Sequence, residues 1–102
     1  MRILVSIRRL VEVTRRGEYD AAWDQLAASA GRMPFRVNAW RFRAAADPRL
    51  HVEFLEYSGD IDPREDAAIS AALRTLEGIG VSEAEEWLDV PYTDSKDLPA
   101  HE

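Results

Sequence analysis

The sequence contains no cysteine. It therefore forms no disulfide and offers no thiolate to a metal ion or a substrate. No apolar run approaches the roughly 20 residues that span a bilayer. The short apolar start is interrupted by Ser6, Arg8 and Arg9 and lacks a small-residue cleavage site, so it predicts a first strand and not a signal peptide. We expect a cytoplasmic protein with no membrane partner.

Positive charge is also scarce. The 102 residues include 19 Asp and Glu against 13 Lys and Arg, which gives a formal net charge of −6. Nucleic-acid binding relies on a surplus of basic side chains, so we expect no nucleic-acid partner. The two histidines, His51 and His101, are far apart, and no carboxylates cluster with them at ligand spacing. The sequence therefore predicts no metal site.

What remains is the composition of one ordinary globular domain, with 46% hydrophobic and 31% charged residues. Alternating apolar residues predict a strand over 2–13. A change to helical spacing predicts a helix over 18–32, ended by Gly31 and Pro34. Residues 36–43 and 50–57 alternate again as two strands, joined by a turn with an Asp-Pro pair.

The second half of the chain adds a helix and a strand. Asp62 as N-cap, Pro63 at the first helical position and Glu65 at capping-box spacing predict a helix over 63–77. Residues 84–90 fit a final strand, although Ser82 followed by Glu85 is also the pattern that caps a helical turn. Residues 91–102 are polar and punctuated by proline. They predict an extended or disordered tail after a domain of residues 1–90.

The order β-α-β-β-α-β predicts an α+β, ferredoxin-like fold, with two helices on one face of a four-stranded antiparallel sheet. We expect the hairpin to place Arg43 opposite Leu50. Residues that oppose each other share a face. The predicted helix-side residues are then Ile3, Val5, Ile7, Val37, Ala39, Val52 and Phe54. The predicted open face holds Leu4, Ser6, Arg8, Leu10, Asn38, Trp40, Phe42, His51, Glu53, Leu55 and Tyr57.

That predicted open face is too apolar for water and too polar for a plain core. Apolar walls with a few converging polar groups are typical of a binding cavity. We therefore predict that this face lines an enclosed pocket for a small, partly aromatic or phenolic molecule. His51 and Glu53 are the candidate catalytic residues, with His51 as a base. The candidate ligand-binding residues are Arg8, Asn38, Trp40 and Tyr57.

Each of these residues also has a structural interpretation. A buried Glu53 needs a cationic partner, and Arg8 is the expected one. Trp40 fits the packed centre of a dimer as well as a surface for ligand stacking. Tyr19 and Trp23 fall at helical core spacing and are predicted to be packing residues.

The stretches GEYDAAWDQLAASA and VNAWRFRAAADPRLHVEFLEY resemble the dimeric α/β-barrel superfamily. That superfamily includes antibiotic-biosynthesis-type monooxygenases, haem-degrading monooxygenases and muconolactone isomerases. The resemblance covers residues 2 to about 90 and rests on element order, the Trp-bearing first helix and the Asp-Pro hairpin. It implies a homodimer in which two sheets pack face to face, so that the open face becomes a barrel interior.

The resemblance does not extend to haem. The haem-degrading members use an Asn, a Trp and a His, but Asn38, Trp40 and His51 fall on other elements. The family's haem-coordinating histidine lies on the second helix, and residues 63–77 contain none. We therefore expect no cofactor. A cofactor-free monooxygenase or an isomerase needs only a snug cavity and groups that hold and deprotonate its substrate.

Three classes of function fit these features. The first is a small-molecule binder or enzyme, monooxygenase-like or isomerase-like and with no bound metal, whose cavity lies in the barrel between sheet and helices. The second is a structural or interaction protein whose open sheet face serves only dimerisation. The third is a regulatory ligand-binding module of the ACT type, which has the same element order. The state of the barrel interior, cavity or packed core, separates the first two.

Overall fold

The computed structural model describes residues 1–59 and 61–90, and the predicted tail over 91–102 lies outside them. Four strands and two helices follow the predicted order: β1 Arg2–Leu10, α1 Arg16–Gly31, β2 Val37–Arg43, β3 Leu50–Ser58, α2 Ala67–Glu77 and β4 Val81–Leu88. All neighbouring strands are antiparallel, in the sheet order β2-β3-β1-β4. The predicted α+β, ferredoxin-like fold is confirmed.

Short turns explain where the boundaries differ from prediction. β1 ends at Leu10, because the Val11 N–H leaves the ladder and donates to the Arg49 carbonyl at 2.8 Å. A 3₁₀ turn over Val13–Arg15 then runs straight into α1. β4 is a strand that begins at Val81, which settles the alternative of a helical turn.

Two aspartates cap the second helical region in succession. Asp62 accepts a hydrogen bond from the Arg64 backbone N–H and starts a 3₁₀ turn over Pro63–Glu65. Asp66 then caps α2, accepting from the N–H groups of Ala68 and Ile69. Asp62 is thus a cap as predicted, but α2 begins four residues after Pro63.

The core lies between the helices and the sheet. Its main cluster contains side chains of both helices, with Tyr19, Trp23, Leu26, Ile69 and Leu76 among the buried members. A second cluster of Val5, Leu55 and Tyr57 lies on the sheet, flanked by Ile3, Ile7, Val37 and Ala39. The predicted packing roles of Tyr19 and Trp23 are confirmed. Among the described residues, no helix is long and apolar enough to cross a membrane.

Gly80 joins α2 to β4 at a point of close backbone approach. A Cβ atom at this position would collide with the Leu10 backbone carbonyl. Glycine therefore lets β4 reach the end of β1, where Val81 faces Leu10 in the ladder.

The hairpin between β2 and β3 is offset by one residue from the predicted alignment. Arg43 lies opposite His51 and not opposite Leu50. The Ala44 N–H donates to the Leu50 carbonyl at 2.9 Å, so the turn takes one residue more than expected. A one-residue change in register turns every side chain of the strand to the other face.

This offset corrects the predicted faces of β3. Val52 and Phe54 lie on the open face, while His51, Glu53, Leu55 and Tyr57 point towards the helices and are buried. The faces predicted for β1 and β2 are correct, because Val5 and Ala39 both align with the buried Leu55.

Candidate functional site

A buried ionic cluster lies between the sheet and α1. The Arg9 guanidinium donates twice to the Glu53 carboxylate, from Nε to Oε2 at 2.8 Å and from Nη2 to Oε1 at 3.0 Å. The Tyr19 hydroxyl donates to the same Oε2 at 2.7 Å. Arg9 is 1% exposed and Glu53 is 2% exposed. The predicted ion pair of Glu53 exists, but its partner is Arg9 and not Arg8.

The elements of the cluster explain its geometry. Arg9 follows Ile3, Val5 and Ile7 on the helix side of β1, and Glu53 lies diagonally across from it on β3. This two-pronged Arg–carboxylate geometry is the strong form of the interaction. Burial raises the pKa of the Tyr19 phenol, and the Glu53 carboxylate adds to that effect. Tyr19 therefore stays protonated and acts as a donor.

His51 borders this cluster through Tyr19. Their ring centroids are 4.7 Å apart, with the planes tilted by 55°. The His51 Nδ1 lies 3.1 Å from the Arg49 carbonyl oxygen. A carbonyl only accepts, so Nδ1 carries the proton. Arg41 also contacts Tyr19: its guanidinium lies over the phenol ring at 5.0 Å and pairs with Asp20 at 2.7 Å.

The surroundings of His51 favour the neutral imidazole. Burial lowers its pKa below the ordinary value, and the positive charges of Arg41, Arg16 and Arg43 lower it further, against the Arg49 carbonyl, which raises it. The sealed positions of His51 and Glu53 favour structural roles for both. Catalytic roles for them stay predictions.

An NMR titration of the imidazole protons should give His51 a pKa below the unperturbed value of about 6.5. Protonation then favours the unfolded chain, so the free energy of unfolding should fall as the pH drops from about 6.5 towards the folded-state pKa. The other histidine, His101, is the reference and is assigned with a His101→Gln variant. A His51 midpoint at or above 6.5 contradicts the buried, neutral ring.

The open face of the sheet carries a group of aromatic side chains. Trp40 and Phe54 stack with ring centroids 5.2 Å apart, and Phe42 meets Phe54 edge-on at 6.1 Å. On the far side of β1, the Trp87 indole N–H donates to the Ser6 hydroxyl at 2.8 Å. Phe42 is 61% exposed and Trp87 is 51% exposed. This surface offers stacking area to a ligand or to another protein chain.

The predicted ligand-binding residues divide between the two faces of the sheet. Arg8 and Trp40 lie on the open face. Asn38 lies there too, near the sheet end where β2 begins, and its side-chain amide donates to the Glu56 carboxylate at 3.0 Å. Tyr57 is buried on the helix side, where Arg64 approaches its hydroxyl at 3.5 Å.

Asn38 and Tyr57 nevertheless border one cleft of about 280 Å³, whose other lining residues are Arg2, Arg36, Glu56 and Ser58. The predicted pocket that joins His51, Glu53, Tyr57, Asn38 and Arg8 on one face does not exist, because β3 turns the first three towards the helices. The sequence contained a signal for the correct arrangement. Arg9 shares its parity with Ile3, Val5 and Ile7, and a buried arginine requires a buried carboxylate.

Within the described part of the chain, no group of three or more His, Asp or Glu side chains is arranged to hold a metal ion. Of the two predicted catalytic residues, His51 bonds a backbone carbonyl, and Glu53 bonds Arg9 and Tyr19.

Comparison of the whole chain with known proteins identifies its structural relatives. No protein-family model matches the sequence, and no curated protein matches it. SnoaB, a cofactor-independent oxygenase from Streptomyces nogalater, has a similar structure with a TM-score of 0.73. It is 16% identical in sequence, and the match covers 89% of this chain and 95% of that one. The chain has the fold of the antibiotic biosynthesis monooxygenase-like proteins.

Two further structures support this assignment of the fold. A putative antibiotic biosynthesis monooxygenase from Nitrosomonas europaea matches with a TM-score of 0.70 at 15% identity, over 91% of this chain and 94% of that one. Another, from Bordetella bronchiseptica, matches with a TM-score of 0.69 at 14% identity, over 88% of this chain and 98% of that one. The predicted resemblance is therefore correct at the level of the fold.

Proposed function

We propose that the protein is a homodimer that packs its open sheet face against a second copy and binds a small, partly aromatic molecule on that face. The observation that carries this proposal is the aromatic group of Trp40, Phe54 and Phe42, together with Trp87, on an uncovered sheet. Large contiguous apolar patches on soluble proteins mark interfaces or ligand sites. The apolar area here is shared by all four strands.

The first test of this proposal is the mass of the protein in solution. Sedimentation equilibrium at micromolar concentration should give twice the chain mass of 11.6 kDa. A single species of 11.6 kDa removes the dimer from the proposal.

The second test concerns the ligand. Trp40 and Trp87 lie on the open face, whereas Trp23 is buried among the helices. A bound aromatic molecule should therefore change the fluorescence of the first two tryptophans in a saturable way across a panel of phenols and aromatic acids. If the protein is a dimer but no compound in the panel changes its tryptophan fluorescence, the result supports the alternative function, in which the open face serves only dimerisation. The ACT-like alternative stays a prediction, and amino acids in the same panel test it.

A second candidate function is cofactor-free oxygenation, favoured by the structural match to a cofactor-independent oxygenase. Such chemistry needs a group that takes a proton from the substrate. His51 and Glu53 are sealed away from the open face, which leaves the carboxylates on that face, Glu56, Glu83 and Glu85. Glu56 already binds Asn38 and Arg2, and Glu83 lies beside Arg8. Glu85 lies opposite Ser6, which lies opposite Phe54 and, one strand further, Trp40. We therefore assign the proton-accepting role to Glu85.

Oxygen consumption tests this assignment. With an active phenol from the panel, and with a chelator present, the protein should consume dioxygen, and Glu85→Gln should reduce the rate at least tenfold, since general bases contribute about 10²–10⁴-fold. Glu77→Gln is the control, because Glu77 ends α2 and does not belong to the sheet. Equal rates for Glu85→Gln and the unmodified protein contradict the assignment. No consumption with any phenol contradicts the oxygenase function.

A further inference from the structure

The apolar end of the open face is formed by Leu10, Leu50, Phe42 and Val81, and two exposed cations border it, Arg43 at the end of β2 and Arg8. Of the two, Arg8 is the cation on the open face of β1. On the ladder it lies between Val52 of β3 and Glu83 of β4. Its neighbour Arg9 is neutralised by Glu53. Within residues 1–59 and 61–90, the Arg8 guanidinium makes no ion pair. An exposed guanidinium is therefore free to bind an anion beside apolar side chains.

Two clefts meet at this arginine. The larger has a volume of about 530 Å³ and is lined by Arg8, Arg9, Leu10, Leu50, Val81, Ser82 and Glu83. The smaller has a volume of about 190 Å³ and is lined by Arg8, Phe42, Arg43, Ala44, Leu50 and Val52. The larger volume lies in the range of small-molecule pockets, roughly 300–1,000 Å³. Two fused aromatic rings fit such a space.

We propose that this pair of clefts is a binding site for a small aromatic monoanion, whose carboxylate or phenolate pairs with Arg8 while its rings lie against Leu10, Leu50 and Val81. The inference rests on the proposed ligand binding, and it names the place and the charge of the ligand. Arginine suits this role because its planar fork of N–H donors matches a carboxylate.

Glu83 sets the limit on the charge of the ligand. It lines the larger cleft and is the cross-strand partner of Arg8, yet it makes no ion pair with it. A ligand anion on Arg8 therefore lies near one opposing negative charge. Apart from Arg9, which Glu53 neutralises, the charged residues that line the two clefts are two cations, Arg8 and Arg43, and one carboxylate, Glu83. A monoanion balances this net charge of +1, whereas a dianion leaves one negative charge unmatched. Removing the Glu83 charge should strengthen the binding of any anion at Arg8.

The experiment compares 2-naphthoate with its uncharged analogue 2-naphthamide, by calorimetry on the intact protein. We expect 2-naphthoate to bind more tightly than 2-naphthamide. Arg8→Gln should weaken 2-naphthoate binding at least tenfold, because a hydrogen bond to a charged group supplies that much discrimination. Glu83→Gln should strengthen it, and neither variant should change binding of the amide.

Arg36→Gln is the control variant, because Arg36 is an exposed arginine that borders the cleft at the opposite end of the sheet. Equal 2-naphthoate affinity for Arg8→Gln and Arg36→Gln overturns the inference, as does the absence of 2-naphthoate binding to the unmodified protein. If neutral phenols then still bind to the aromatic group, the proposed function survives and only the anion site is lost. If no aromatic compound binds, ligand binding itself is refuted.

Discussion

Replacing Glu53 by alanine should lower the free energy of unfolding by about 3–5 kcal/mol, because it leaves a buried guanidinium without its counter-ion. Arg9 is almost wholly buried, and both of its short hydrogen bonds go to this carboxylate. The same substitution removes the acceptor of the Tyr19 hydroxyl. Urea denaturation at neutral pH, followed by circular dichroism, measures the loss.

Glu56 provides the matched control, three residues along the same strand. Its carboxylate accepts from Asn38 and pairs with the half-exposed Arg2 at 3.5 Å. Because solvent screens that pair, Glu56→Ala should cost no more than about 1 kcal/mol. Equal losses of unfolding free energy for Glu53→Ala and Glu56→Ala would mean that the buried Arg9–Glu53 pair stabilises the fold no more than the exposed pair does.

A triple variant separates the loss of the pair from the cost of an unpaired charge. Arg9→Met, Glu53→Leu and Tyr19→Phe together remove all three polar partners and keep apolar volume in their place. Buried ion pairs replaced in this way are often neutral or stabilising. We expect the triple variant to unfold at higher urea than Glu53→Ala. The opposite order contradicts the explanation that the unpaired charge of Arg9 is what makes Glu53→Ala costly.

Replacing Trp40 by aspartate should convert the proposed dimer into a monomer or into aggregates. The new carboxylate would lie in the middle of the aromatic group, where the second copy would bury it without a partner. Breaking a buried charge balance costs about 3–5 kcal/mol, which weakens association by more than a hundredfold. Sedimentation equilibrium measures the change, and Trp40→Phe should remain a dimer.

A second variant, Phe42→Asp, shows whether the dimer is lost because of the new charge or because the chain misfolds. The Phe42 side chain is largely exposed, so its loss removes little packing from the folded chain. It should therefore keep the circular dichroism spectrum of the parent protein and lose the dimer. Dimers that persist in both aspartate variants place the interface elsewhere than on the open face.

The fold could be predicted from sequence because each element carries its own local signal. The Asp62-Pro63 pair marks the start of a helical region, and the alternation of β1 assigns both of its faces correctly. The candidate site could not be predicted in this way, because the set of residues that face it depends on the length of the turn between β2 and β3. If Arg43 is paired with Leu50 and not with His51, His51 and Glu53 fall on the open face of the sheet, beside Arg8.

The correct arrangement depends on contacts between residues far apart in the chain. Arg9 and Glu53 are separated by 44 positions, and Tyr19 and Glu53 by 34. No local pattern shows that these side chains meet. Arg8 and Arg9 point to opposite faces of β1, so the face assigned to Glu53 alone determines which arginine is its predicted partner. The aromatic group was found in part, since Trp40 and Phe42 were placed correctly and Phe54 was not.

The buried cluster has a consequence for how the strands find their alignment. A strand that slides by two residues keeps its apolar side chains on the same face, so alternation alone does not forbid such a slip. Sliding β3 one way would carry Glu53 opposite Val5 and away from Arg9. Sliding β3 the other way would move the Glu53 carboxylate away from the Tyr19 hydroxyl. The observed alignment satisfies all three groups at once, so the cluster favours this register over its two-residue neighbours, which alternation alone does not distinguish.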